Sequence, residues 1–139
     1  MRRYNILVVE DAGMIADYLG LLLIHNGFNI SGIVASGEEA VATALKTKPD
    51  LVLMDIKIAG LIDGITAAAI IRRRSNVPII YVTAYTDKKV MDRAMSIRPC
   101  AYVCKPFKGN ELLETIRDSL CGFKWQGGSR GNNPLPINL

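Results

Sequence analysis

Five polar residues stand at the ends of apolar runs, and their types could carry out chemistry on a charged group. They are three carboxylates, one hydroxyl and one ammonium: Glu10, Asp11, Asp55, Thr83 and Lys105. In an open α/β sheet the carboxyl ends of the strands line one crevice, where ligands bind at the topological switch point. If the apolar runs are parallel strands, the five groups converge on that crevice.

Clustered carboxylates repel one another at neutral pH and need a cation beside them. Lys105 supplies one positive charge, and a divalent metal would supply two more. Oxygen ligands favour Mg²⁺, which takes few protein carboxylates, keeps waters and is often shared with phosphate. Phosphoryl transfer requires positioning and charge neutralisation of this kind. A carboxylate can itself be the nucleophile and form an acyl phosphate.

The elements that must position these groups alternate regularly along the chain. Near-continuous apolar runs are typical of strands buried on both faces of a parallel sheet. The five predicted strands are Tyr4–Val9, Phe28–Val34, Leu51–Met54, Val77–Val82 and Ala101–Cys104. The second mixes polar and apolar residues, which predicts an edge strand. The alternation predicts an α/β doubly wound parallel sheet of five strands.

A helical segment follows each predicted strand. The first presents apolar residues on one face and stops at Asn26-Gly27. The second opens at Ser36 with the spacing of a capping box that reaches Glu39. The other three are predicted from about Gly64 to Arg74, over Lys88–Ile97, and from near Asn110.

Length and composition limit the protein class. With 139 residues, 50% hydrophobic and 22% charged, the chain is predicted to form one folded domain. We expect that domain to span residues 1–122. Residues 123–139 are rich in glycine, asparagine and proline, which predicts a flexible tail or linker.

Charge and apolar patterning argue against two kinds of partner. The formal net charge is +4, and residues 1–122 carry 15 cations against 13 anions, which gives +2. This is no electrostatic footprint for nucleic acid. No apolar run reaches the roughly 18 residues of a membrane helix, and no signal peptide is evident. The three cysteines form no CxxC. We therefore predict a cytoplasmic protein with neither nucleic acid nor membrane as a partner of this domain.

Four segments together resemble the receiver domain of two-component response regulators: VVED (8–11), LVLMD (51–55), YVTAY (81–85) and YVCKPF (102–107). The resemblance covers about residues 4–121. It implies a flavodoxin-like (βα)5 fold with strand order 2-1-3-4-5. It also implies that the protein is a signalling domain in a phosphorelay, whose only catalysis is its own phosphoryl transfer and dephosphorylation.

The resemblance assigns roles to residues of this chain. It makes Asp55 the phosphoacceptor, to which a phospho-histidine kinase transfers its phosphoryl group. It implies that Glu10, Asp11 and Asp55 hold Mg²⁺ together with the backbone carbonyl of Lys57.

Further roles concern the response to the phosphoryl group. By the resemblance, Thr83 binds a phosphoryl oxygen after transfer and Lys105 pairs with the phosphoryl group. Tyr102 is the aromatic residue whose ring position reports activation, and the small Ala84 leaves room for it. Pro106 is expected to follow Lys105 through a cis peptide bond.

The resemblance also implies partners. A sensor histidine kinase is the expected donor, and an unidentified downstream protein is the expected receiver of the signal. The expected output surface is the fourth helix, fifth strand and fifth helix, which could also pair two copies of the chain.

The loop after Asp55 departs from the family pattern. Ala59 stands where many members have proline, and the loop is one residue longer. Lys57 places a cation two residues beyond the phosphoacceptor.

Three other interpretations fit parts of the sequence. A flavodoxin-like cofactor binder would need a Ser/Thr/Gly-rich phosphate loop after the first strand, where this chain is acidic. A haloacid-dehalogenase-type phosphatase would need a second aspartate where Lys57 stands. A degenerate receiver that binds proteins without phosphorylation remains the main alternative. The chain could be a single-domain receiver or a part of a longer protein.

Overall fold

Strands and helices alternate along the chain in a computed structural model that describes residues 2–85, 87–99, 101–121 and 136–138. The strands are β1 Asn5–Val9, β2 Asn29–Val34, β3 Leu51–Met54, β4 Ile79–Thr83, β5 Ala101–Cys104 and β6 Pro136–Asn138. The helices are α1 Gly13–His25, α2 Gly37–Thr47, α3 Gly64–Arg72, α4 Lys88–Met95 and α5 Gly109–Leu120. No helix in these ranges is long and apolar enough to cross a membrane.

All strands pair in parallel, in the order β2-β1-β3-β4-β5-β6. The predicted five-stranded order 2-1-3-4-5 is therefore confirmed, and β2 lies at an edge as expected. A sixth strand, Pro136–Asn138, extends the sheet beside β5. It falls in the segment for which we predicted a tail or linker. In a five-stranded sheet, β5 would be an edge strand, and its outer backbone groups would be free to pair with an extended segment. Residues 122–135 and 139 lie outside the described residues.

Successive residues of each strand face opposite sides of the sheet, so the core has two parts. We call the part under α2, α3 and α4 the switch-side core; it contains Leu7, Val52, Met54, Tyr81 and Tyr102. The part under α1 and α5 is the opposite core; it contains Ile6, Leu19, Val82, Leu112 and Ile116. Because β1, β3, β4 and β5 are buried on both faces, their sequences read as continuous apolar runs.

The helix starts show which polar residues are used for capping. One half of the predicted capping box is present, since the Ser36 hydroxyl accepts from the Glu39 backbone N–H at 3.1 Å. The Glu39 carboxylate accepts from the Ser36 hydroxyl and the Ala35 N–H, and not from the Ser36 backbone N–H that completes the motif. Asp63 caps α3 by accepting from the Thr66 backbone N–H at 2.8 Å. The N-cap of α1 is Ala12, with no side-chain cap. Glu10 and Asp11 therefore do not cap α1.

The loop between β3 and α3 is fastened to the loop between β2 and α2. Ser36 and Ala59 form an isolated parallel bridge, in which the Ala59 N–H donates to the Ala35 carbonyl at 3.2 Å. The Glu38 carboxylate accepts from the Leu61 backbone N–H at 2.9 Å. These contacts hold the longer loop after Asp55 beside the carboxyl ends of the strands.

Candidate functional site

Three carboxylates meet at the carboxyl ends of β1 and β3. Ligand oxygens of Glu10, Asp11 and Asp55 all lie within 4.8 Å of one another. Glu10 and Asp55 are buried, whereas Asp11 is exposed. The strands bring them together because β1 and β3 are adjacent and parallel, with Val9 opposite Met54. The predicted convergence of the carboxylates is confirmed.

Lys105 joins this cluster from the end of β5. Its Nζ lies 2.7 Å from Glu10 Oε1 and 2.9 Å from Asp55 Oδ2, and the ammonium donates to both carboxylates. Both ion pairs are largely shielded from solvent. The single cation thus neutralises part of the charge of two buried carboxylates. One acidic group, Asp11, remains on the solvent side.

Burial is the largest single influence on the pKa of Glu10 and on that of Lys105. Burial raises the pKa of Glu10, and the Asp55 charge adds to this, while the Lys105 hydrogen bond acts in the opposite direction. For Lys105, burial acts to lower the pKa, but the hydrogen bonds to Glu10 and Asp55 outweigh it and raise the pKa. A second cation beside Glu10 and Asp55 would therefore stabilise their ionised forms.

The backbone around Asp55 is closely packed. The Asp55 N–H donates to the Val9 carbonyl at 3.0 Å, and the Ile56 N–H donates to Asp55 Oδ1 at 2.7 Å. A Cβ added at Gly64 would stand 1.9 Å from the Asp55 carbonyl oxygen. Only glycine permits this approach, a requirement that our sequence analysis missed. The Asp63-Gly64 pair before a helical segment was the available signal.

Thr83 and Tyr102 lie on the neighbouring strands β4 and β5. Thr83 is buried, and its Oγ1 accepts from the Tyr85 N–H at 3.2 Å. The Tyr102 ring is fully buried and its hydroxyl donates to the Tyr85 carbonyl. Burial raises the pKa of Tyr102 to about 12, with smaller effects from Cys104 and Asp55. Ala84, between Thr83 and Tyr85, is exposed.

Two features of the neighbouring loops lie close to Thr83 and Tyr102: a contact between Lys57 and Tyr85, and a cis peptide bond before Pro106. Lys57 Nζ lies 5.9 Å from the centroid of the Tyr85 ring, within cation–π range. The peptide bond between Lys105 and Pro106 is cis, as the resemblance led us to expect. The contact between Lys57 and Tyr85 joins the loop after Asp55 to the loop after Thr83.

A polar cross-link between α3 and α4 also escaped the sequence analysis. The Arg93 guanidinium donates to both Asp63 oxygens, at 2.6 Å and 3.2 Å, and to Thr66 Oγ1 at 2.8 Å. Burial acts to raise the pKa of Asp63, but the hydrogen bonds from Arg93 and Thr66 lower it below its ordinary value. Asp63 and Arg93 are 30 positions apart, so spacing alone gave no signal.

Comparisons with known proteins agree with this architecture. Residues 6–117 match the family model described as "Response regulator receiver domain". The chain is 35% identical over 120 residues to the transcriptional regulatory protein PdtaR of Mycobacterium tuberculosis, covering 86% of this chain and 58% of that protein. It is also 36% identical over 120 residues to the DNA-binding response regulator MtrA of Mycolicibacterium smegmatis, covering 85% and 51%.

Solved structures give the same result. A signal receiver domain of a modulated diguanylate cyclase from Desulfovibrio desulfuricans aligns with a TM-score of 0.82 and 32% identity, covering 86% of this chain and 95% of that one. The response regulator domain of Thermotoga maritima CheB aligns with a TM-score of 0.80 and 25% identity, covering 88% and 100%.

The chain belongs to the response regulator receiver domain family. It is a two-component signalling domain with the CheY-type fold. Receiver domains of this family interact with histidine kinases and with downstream effectors. The chain spans 51–58% of the length of the curated relatives described above.

Proposed function

We propose that this domain accepts a phosphoryl group on Asp55 from a phospho-histidine donor, in a reaction that requires Mg²⁺. The observation that carries this proposal is the Lys105 ammonium held between Glu10 and Asp55, with Asp11 in ligand range. A carboxylate oxygen of Asp55 attacks phosphorus, and the bond between phosphorus and the donor imidazole nitrogen breaks. The products are an acyl phosphate and a free imidazole.

The donor set fits Mg²⁺. Glu10, Asp11 and Asp55 offer hard oxygen ligands from one side only, as suits a cation that keeps several waters. The family resemblance adds the backbone carbonyl of Lys57. When bound, Mg²⁺ neutralises charge on the phosphoryl oxygens. One solved structure that aligns with this chain is a complex of CheX, CheY, BeF3 and Mg from Borrelia burgdorferi. The sequence identity of that alignment is 25% and its TM-score is 0.76.

The residues of this chain divide the remaining work. Lys105 already donates to Asp55, so it stays within reach of a phosphoryl oxygen attached there. Thr83 is poised at the end of β4 with a hydroxyl that can donate to a second oxygen. Burial of Asp55 limits the access of water to the acyl phosphate. Slow hydrolysis by the domain itself then resets the signal.

The signal leaves through Thr83, Tyr85 and Tyr102. When the Thr83 hydroxyl turns to the phosphoryl group, it gives up its hydrogen bond with the Tyr85 N–H. The loop after β4 then shifts. The buried Tyr102 ring, bound to the Tyr85 carbonyl, is the position that belongs to the signalling state. An aromatic ring with two positions is a bistable element that a local charge can bias.

The partners follow from the family and from this geometry. We infer that a sensor histidine kinase is the donor and that α4, β5 and α5 form the output surface for a downstream protein. Two copies of the chain could pair through the helices of the same surface. A cytoplasmic location fits such partners.

A phosphorylation assay tests the proposal. The domain is incubated with acetyl phosphate, with and without Mg²⁺, and acid-labile phosphate on the protein is measured by mass spectrometry. We expect Mg²⁺-dependent labelling that Asp55→Asn abolishes and Asp11→Ala weakens. Asp118→Asn, an exposed position on α5, is the matched control and should label normally.

Two results would contradict the proposal. Undiminished labelling of Asp55→Asn would exclude Asp55 as the acceptor. Absence of labelling from acetyl phosphate and from a phosphorylated kinase domain would instead support the degenerate receiver.

A further inference from the structure

Tyr81 carries a buried hydroxyl for which the described part of the chain offers no hydrogen bond. The side chain is fully buried in β4, and its Oη has no hydrogen-bond partner within the described residues. Most buried polar groups in native proteins are hydrogen-bonded, and an unsatisfied one destabilises the conformation that contains it. In the run Val77–Val82, Tyr81 is the one residue with a polar side-chain group. The presence of a buried hydroxyl at this position therefore has to be explained.

A polar cluster on α3 and α4 influences this hydroxyl but makes no hydrogen bond to it. Asp63, Arg93 and Thr66 already bind one another through the guanidinium, as described above. Burial raises the pKa of Tyr81, and the Asp63 charge adds to the rise, while Arg72 and Arg93 oppose it. The phenol therefore lies within electrostatic reach of this cluster but makes no hydrogen bond to it.

Tyr81 lies directly beside the switch residue. In the pairing of β4 with β5, Tyr81 stands opposite Tyr102. Their rings are 5.9 Å apart between centroids, with an interplanar angle of 50°, and both belong to the switch-side core. The hydroxyls of the two tyrosines differ: that of Tyr102 donates to the Tyr85 carbonyl, and that of Tyr81 has no partner in the residues that the structure describes.

We propose that Tyr81 is a positioning residue that opposes the inward position of the Tyr102 ring. The Tyr81 hydroxyl is dry while that ring is inside, and it becomes hydrated when the ring leaves. This inference rests on the proposed function, which gives the ring two positions.

The volume of a tyrosine ring is large enough for water to replace the Tyr102 ring beside Tyr81. A buried water occupies roughly 30 Å³ and needs polar partners. The space that a tyrosine ring leaves is larger than this, and it adjoins Tyr81 on one side. Under the proposal, water admitted there forms a hydrogen bond with the Tyr81 hydroxyl. The inward conformation thus gains the Tyr102 hydrogen bond and loses the hydration of Tyr81, so the two effects oppose each other and keep the switch responsive to the phosphoryl group.

A double-mutant cycle tests the link between the two rings. Tyr81→Phe keeps the ring and removes the hydroxyl, and Tyr102→Ala removes the neighbouring ring permanently. By denaturant unfolding, Tyr81→Phe should raise the folding equilibrium constant about three- to tenfold in the wild-type background, because the Tyr102 ring is inside for part of the time before phosphorylation. In the Tyr102→Ala background, where water reaches the hydroxyl, the gain should be less than about twofold. Equal gains in both backgrounds would overturn the proposal.

If Tyr102→Ala does not fold, Tyr102→Thr replaces it, since a β-branched residue suits a strand. Tyr4→Phe is the matched control because Tyr4 packs against the opposite core. It should change the folding constant equally in both backgrounds. Coupling between Tyr4 and Tyr102 as large as that between Tyr81 and Tyr102 would also overturn the proposal.

A binding measurement tests the effect on the switch itself. Tyr81→Phe should bind beryllofluoride in the presence of Mg²⁺ several-fold more tightly than wild type, whereas Tyr4→Phe should bind like wild type. An unchanged affinity of Tyr81→Phe would show that Tyr81 does not bias the switch and would overturn the inference. If wild type binds no beryllofluoride, the proposed function fails, while the unfolding cycle still decides whether the two rings are coupled.

Discussion

The two helices that flank β5 along the chain, α4 and α5, are held against the sheet by different kinds of contact. On the opposite core, α5 contributes three fully or nearly buried apolar side chains: Leu112, Leu113 and Ile116. On the switch-side core, Ala94 is the one buried residue in the described helix α4. That helix packs on the core through side chains that are only partly buried, such as Val90, Met91 and Met95, and the pair between Arg93 and Asp63 ties it to α3. Apolar burial gives one arrangement a large advantage, whereas a few polar contacts can be exchanged at small cost.

This difference predicts which parts of the molecule can change conformation. The face that carries Tyr81, Tyr102 and α4 contains the hydroxyl groups and ion pairs that can change partners. The face under α1 and α5 is packed by apolar side chains, among them Leu19, Leu112 and Ile116. A receiver needs both, because a local charge can move one face only if the other stays fixed.

The comparison predicts unequal responses to side-chain truncation. Leu112→Ala on the opposite core should lower the free energy of unfolding by about 2–5 kcal/mol. Val90→Ala on α4 removes a side chain that is only partly buried against the switch-side core, and should lower it by about 1 kcal/mol or less. Denaturant titration of both variants measures the difference. Equal losses would show that α4 is as firmly packed as α5.

The polar cross-link predicts a dependence on pH. Asp63→Asn keeps a good helix cap but removes the charge. Since the folded-state pKa of Asp63 is lowered below 3.8, the ionised form contributes stability that is present at neutral pH and is lost as the pH falls through the folded pKa. The pair is partly exposed, so we expect a difference of at most about 1 kcal/mol at pH 7.

Unfolding of wild type and Asp63→Asn is compared from pH 7 down to about pH 3, close to the ordinary pKa of an aspartate. The difference between them should shrink at the acid end. A difference that is constant over this range would mean that the side-chain charge of Asp63 does not stabilise α4.

A further prediction concerns a rate and the two loops above the site. Lys57 and Tyr85 contact each other and stand two positions beyond Asp55 and Thr83. We predict that they shield the acyl phosphate from water. Trimming both to alanine should speed the loss of phosphate about three- to tenfold, which corresponds to about 1.4 kcal/mol of barrier at most. Release of phosphate from the purified phosphoprotein measures this rate; slower or unchanged loss would count against shielding.

The sequence allowed most of the site to be predicted because strand ends are marked by a change from apolar to polar residues. Glu10, Asp55 and Lys105 each occupy such a boundary, and a parallel sheet places all such boundaries on one edge. The strand order and the cis bond before Pro106 came from the family resemblance and not from the residues alone.

Other features depend on packing that no local pattern records. The requirement for Gly64 arises only when α3 approaches the Asp55 carbonyl. The bond between Arg93 and Asp63 depends on how α4 lies against α3. The unsatisfied hydroxyl of Tyr81 appears only once every neighbour is in place. The strand Pro136–Asn138 formed in a segment whose composition predicted a tail or linker.

Amide hydrogen exchange tests the division between the two faces most directly. The domain is compared in Mg²⁺ alone and with Mg²⁺ plus a phosphoryl group or beryllofluoride. The account predicts changed protection from residue 84 to residue 113, across α4, β5 and the start of α5, with little change in β1 or in the buried face of α1. A change confined to the neighbourhood of Asp55 would contradict it.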